Sequence, residues 1–70
     1  MGQVLAEMAG KVIQVCVAAG DAVAEDQDLI IIESMKMQIP VGSPEDGTVA
    51  KVYVVPDQFL NEGDPIVDLA

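Results

Sequence analysis

Histidine and tryptophan are absent from this chain, cysteine occurs once, and three basic residues stand against twelve acidic ones. Each shortage removes a class of function. Without an imidazole there is no histidine general base, and the Ser–His and Cys–His arrangements of most hydrolases are excluded. Cys16 alone cannot close an intramolecular disulfide, and the Cys/His ligand set of a zinc site is missing, so no metal is expected. A formal charge of −9 repels phosphate backbones and anionic lipid headgroups. Neither nucleic acid nor a membrane is therefore an expected partner. No apolar run approaches the length of a membrane-spanning helix, and Met1-Gly2-Gln3-Val4 lacks the basic start of a signal peptide. No catalytic residue emerges.

What is present suffices for a small folded core. Apolar residues make up 51% of the chain, too many for a disordered segment. Seventy residues predict a single domain, 1–70, near the lower size at which one core supports a fold. The apolar residues come in short β-branched runs: Val12-Ile13, Val15 to Val17, Leu29 to Ile32, Ile39 to Val41, Val52 to Val55 and Ile66 to Leu69. No window repeats them at helical spacing over three turns, and Gly10, Gly20, Gly42, Gly47 and Gly63 punctuate them. The pattern predicts an all-β fold of short strands and turns. Cys16, inside the Val15 to Val17 run, is expected to be a small buried hydrophobe.

The chain also overlays on itself at an offset of 37 residues, without a gap. Gly10 falls on Gly47, Val12 on Val49, Val17 on Val54, Val23 on Leu60, Leu29 on Ile66 and Ile32 on Leu69. Neither half can bury an apolar face alone, so the repeat predicts two half-domains packed about a pseudo-two-fold axis.

Between the run ending at Glu33 and the one opening at Met37 there is room only for a tight turn around Ser34-Met35-Lys36. Alternation sends Met37, Ile39 and Val41 to one face and Gln38 and Pro40 to the other. Pro40, which cannot donate to a ladder, places that strand at a sheet edge. Lys36 is then at a hairpin tip, and the terminal strands are expected together at the opposite end. An amine held out between two methionines is poorly explained as packing. It is well explained as a target for another protein.

Glu33-Ser34-Met35-Lys36-Met37 resembles the Glu-Ala/Ser-Met-Lys-Met signature of biotinyl domains, the biotin carboxyl carrier modules of biotin-dependent carboxylases. Gly10-Lys11-Val12, Gly20-Asp21-Ala22-Val23, Gly47-Thr48-Val49 and Asn61-Glu62-Gly63-Asp64-Pro65 are similar to the family's frame, and the likeness covers residues 4 to 70. The resemblance implies a flattened β-barrel or sandwich of two four-stranded antiparallel sheets with pseudo-two-fold symmetry, the barrel-sandwich hybrid of biotinyl and lipoyl domains. It also implies covalent biotin on Lys36, with Glu33, Met35 and Met37 recognised by a biotin protein ligase. The domain depends on that ligase to activate the biotin carboxyl group. The carboxyl group then passes from a biotin carboxylase to a carboxyltransferase. In that role the isolated domain is monomeric, not an enzyme by itself, and resides in the cytoplasm or, within a eukaryotic carboxylase, in the mitochondrial matrix.

The chain departs from the family pattern in two ways. Asp26 and Asp57 stand where these domains usually have glycine, which asks both to take a left-handed conformation. The short Val17 to Val23 loop lacks the protruding thumb of one bacterial class, so the chain resembles the thumbless type. Two rival readings follow from the same fold. A lipoyl carrier typically has Asp-Lys-Ala around its lysine, which Met35 and Met37 disfavour; a purely structural hybrid barrel has no use for the Met-Lys-Met tip.

Overall fold

In a computed structural model, residues 2–70 are described, so residue 1 of the expected 1–70 domain lies outside the described residues. Eight strands follow one another: β1 (Gly2–Leu5), β2 (Gly10–Val15), β3 (Ala22–Val23), β4 (Asp28–Ser34), β5 (Met37–Gly42), β6 (Gly47–Val52), β7 (Phe59–Leu60) and β8 (Pro65–Leu69). They pair as two four-stranded antiparallel sheets, β1-β8-β6-β3 and β5-β4-β2-β7. Val12, Leu29, Ile30, Ile32, Val49, Leu60, Ile66 and Val67 are sealed between them. Elsewhere along the strands inward and outward side chains alternate, as period-two patterning requires. Leu29-Ile30 and Ile66-Val67 are buried in succession where the ladders shift register.

The repeat is realised bond for bond. Each sheet takes two strands from each half of the chain, so the halves interlock instead of stacking. The Gly20 N–H donates to the Val49 carbonyl and the Asp57 N–H to the Val12 carbonyl, both at 2.7 Å. Asp26 N–H to Ser43 carbonyl and Gly63 N–H to Ala6 carbonyl form a second matched pair, each 2.8 Å. The substituted turn positions also behave as their backbone demands: Asp26 and Asp57 have φ of 70° and 72°, beside 90° at Gly63 and 96° at Gly20. Gly2 pairs with Leu69, which brings the first and last described strands side by side.

The expected barrel does not form. Two separate sheets are present and neither closes, leaving β1 and β3 as the edges of one and β5 and β7 as the edges of the other. Closure requires strands long enough to tilt and share ladders around the full circumference. Here β3 and β7 are two residues each. At the other edge Pro40 in β5 lacks an N–H, and a groove lined by Leu5, Met8, Ile39 and Pro44 separates β5 from β1. The architecture is an open sandwich.

Cys16 also departs from expectation, being exposed. The β2–β4 ladder pairs Val12 with Ile32 and then Gln14 with Ile31, leaving Ile13 as an extra residue. That bulge reverses the inside–outside phase of everything after it. Val15 and Val17 turn inward and Cys16 turns out. The matching bulge recurs in β6, between Val49 and Lys51.

Candidate functional site: the lysine hairpin

β4 and β5 form the longest ladder of the fold, pairing Ile30 with Val41, Ile32 with Ile39, Glu33 with Gln38 and Ser34 with Met37. Only Met35 and Lys36 remain to make the turn. Their φ angles, 54° and 64°, are both left-handed, the conformation of a two-residue type I′ hairpin whose twist matches that of the strands. Such turns ordinarily use Asn-Gly, since a side chain in this region costs about 1 kcal/mol per residue. Ile32, buried, and Ile39, packed against the core, anchor the ladder below and hold the turn in place.

The tip is solvent-exposed. Met35 is 92% exposed and Met37 64%, and Lys36 is exposed between them. The three basic residues of the chain are all lysines, and the structure separates them by engagement. The Lys11 Nζ lies 3.7 Å from a carboxylate oxygen of Asp57. The Lys51 Nζ sits 4.8 Å from the centre of the Tyr53 ring, a cation–π contact. Lys36 alone among them has neither ion pair nor ring contact among the described residues. Among the lysines of the described residues, the amine without a competing partner is the one at the hairpin tip.

Glu33 does not pair with Lys36. It faces outward from β4, between Lys11 on β2 and Gln38 on β5 in the ladder register. Gly10 permits this close passage of β2: a Cβ there would stand 2.8 Å from the Glu33 carbonyl oxygen. Met35, Lys36 and Met37 thus form the tip, while Glu33 belongs to the sheet face beneath it. The engagement of Lys51 escapes a motif-based reading. Its only signal in the sequence is Lys51 two residues before Tyr53, a spacing that puts both on one strand face.

Exposed methionines are adaptable apolar contacts, and a free primary amine is a nucleophile once an activated acyl group is brought to it. The residues at the tip therefore fit acylation by a second protein, with no acid–base groups supplied by the chain itself.

The model of the family described as biotin-requiring enzyme matches residues 2–69. The mitochondrial pyruvate carboxylase of Mus musculus is 50% identical over 66 residues, spanning 94% of this chain and 6% of that protein. A biotin/lipoyl attachment protein of Bacillus subtilis (strain 168) is 41% identical over 64 residues, 91% of this chain and 88% of that protein. Among solved structures, a single-chain, multi-domain long-chain acyl-CoA carboxylase superposes with a TM-score of 0.91 at 29% identity, over 97% of this chain and 7% of the other. The chain thus spans a small fraction of the carboxylases it matches and most of the bacterial attachment protein. With a family model over nearly its whole length and a relative at half identity, the chain belongs to the biotin/lipoyl attachment family of biotin-requiring enzymes.

Proposed function

We propose that residues 1–70 act as one biotin carboxyl carrier domain, biotinylated on Lys36. The observation that carries this reading is the exposed amine of Lys36, without an ion pair or ring contact among the described residues, between two exposed methionines on a two-residue turn. A biotin protein ligase supplies biotin as an acyl-adenylate; the neutral Nζ attacks the acyl carbon, AMP departs with the bonding pair, and the amine proton is released. An amide results. Met35 and Met37 give the ligase an apolar grip, and Glu33 marks the sheet face beside it.

Bound biotin supplies a ureido nitrogen able to carry a carboxyl group. The chain's own part is to hold that group on a turn that protrudes, so that one arm can visit two active sites at high effective concentration. Those sites are a biotin carboxylase and a carboxyltransferase, consistent with the carboxylase names of the mouse relative and of the long-chain acyl-CoA structural match. The acceptor is chosen by the transferase. The cytoplasm or the mitochondrial matrix follows as the place of action, the mouse relative being named as mitochondrial.

Co-expression with a biotin protein ligase tests the reading. The expected result is a mass increment of about 226 Da, one amide-linked biotin, located at Lys36 by peptide mass spectrometry and lost in Lys36→Ala. Biotin mainly on Lys11 or Lys51 overturns it, as does lipoate preferentially on Lys36.

A further inference from the structure

The 37-residue repeat allows the outer faces of the two sheets to be compared position by position, and they are not alike. On the sheet β1-β8-β6-β3 the outer face closes on itself. The Tyr53 hydroxyl donates to one Asp68 carboxylate oxygen at 2.6 Å, the Gln3 amide donates to the other at 3.1 Å, and Lys51 covers the Tyr53 ring. On the hairpin sheet the equivalent of Asp68 is Ile31, that of Lys51 is Gln14 and that of Gln3 is Pro40. These three lie in one cross-strand row, and none of them takes part in a hydrogen bond through its side chain. In the next row toward the tip, Phe59 stands beside Lys11, which stands beside Glu33. Phe59 is 60% exposed, a large apolar side chain left in water.

Charge separates the faces as well. Lys11 and Lys36 offset Glu33 and Asp57, the carboxylate that pairs with Lys11 from outside these rows. The two rows, the tip and Asp57 together carry no net charge within a chain of −9. One face is satisfied by its own polar groups; the other has balanced charge, is partly apolar and is continuous with the lysine.

We propose that this outer face, centred on Ile31 and Phe59, is the surface on which the biotin-attaching ligase docks. The inference rests on the reading of Lys36 as the biotinylated residue. Reach favours the ligase over the proteins met later. A bare lysine extends only its own four-carbon stem, so an enzyme acting on the amine must come against the hairpin and the sheet that bears it. After attachment the longer arm relieves partners of that need. A face without net charge also avoids repelling the anionic phosphate of the acyl-adenylate, which the acidic remainder of the domain opposes.

Steady-state biotinylation of the full chain by a biotin protein ligase, followed by intact mass, tests the surface. Gln14→Glu and Phe59→Glu alter exposed side chains and leave the core intact, as thermal melting verifies. Each is expected to raise KM for the domain about tenfold with little change in kcat, and Ile31→Thr to raise it less. Thr48→Glu, which places the same charge at the position on the other sheet equivalent to Lys11, is expected to leave KM unchanged. If folded Gln14→Glu and Phe59→Glu are labelled at Lys36 with wild-type KM, the docking face is wrong while the carrier reading stands. If Thr48→Glu raises KM equally, the effect is general charge and the proposal fails. Absence of label on the unsubstituted chain overturns both.

Discussion

Asp57 and Gly20, 37 positions apart, hold the same left-handed backbone, with φ of 72° and 96°, and donate equivalent 2.7 Å hydrogen bonds across the domain. Open space surrounds the position where a Cβ on Gly20 would stand, so the backbone alone sets the cost of a side chain. Gly20→Ala is expected to lose about 1 kcal/mol. Asp57→Gly is expected to gain about 0.5 kcal/mol, since its exposed ion pair with Lys11 contributes little. Urea denaturation measures both, and a clear loss in Asp57→Gly shows that the Lys11 contact outweighs the strain.

Gly10 and Gly47 are also repeat partners, but the chain crowds them differently. A Cβ at Gly10 would meet the Glu33 carbonyl oxygen at 2.8 Å and Ile32 Cδ1 at 3.2 Å, whereas at Gly47 the nearest atom is 3.4 Å away. Gly10→Ala is expected to cost about 2 kcal/mol as β2 is pushed from β4. Gly47→Ala should fall well below that. Equal melting temperatures for the two variants are incompatible with the close passage described here.

At the tip, function and stability separate. Met35 occupies a left-handed position and is almost fully exposed, so Met35→Gly is expected to leave stability unchanged or raise it by up to about 1 kcal/mol. Its biotinylation rate is expected to fall as the apolar contact is removed. Met37→Leu keeps that contact and should be mild, whereas Met37→Asp should slow labelling while the domain stays folded. Unfolding of Met37→Asp with an intact labelling rate makes Met37 a core residue.

Tyr53 provides a pH reporter on the other sheet. The hydrogen bond it donates to Asp68 raises its pKa above the ordinary phenol value, helped by partial burial and by the negative charge of Asp68. Since the folded value exceeds the unfolded one, this contact's contribution to stability is complete below pH about 10. It is lost as pH rises through the folded value. With one tyrosine and no tryptophan in the chain, tyrosinate absorbance reads this group alone. The midpoint is expected above that of the urea-unfolded chain, and Asp68→Asn is expected to lower it. A midpoint unmoved by Asp68→Asn removes the assigned cause.

Periodicity two, the 37-residue repeat and the tightness of the Glu33-to-Met37 segment by themselves determined the strands, the paired halves and the hairpin that presents Lys36. These are local properties, set by backbone preference and by the alternation of apolar side chains. The tertiary structure decided what depends on register and on neighbours distant in sequence. A single extra residue at Ile13 moved Cys16 from the core to the surface, a displacement no alternation count contains because the bulge exists only against β4. Edge strands of two residues and a proline at β5 left two sheets where closure was expected. Folding alone brought Asp57 to Lys11, giving that lysine a partner, and set Glu33 on the sheet face instead of beside Lys36. Contacts between residues far apart in the chain require the folded backbone to exist before they can be formed.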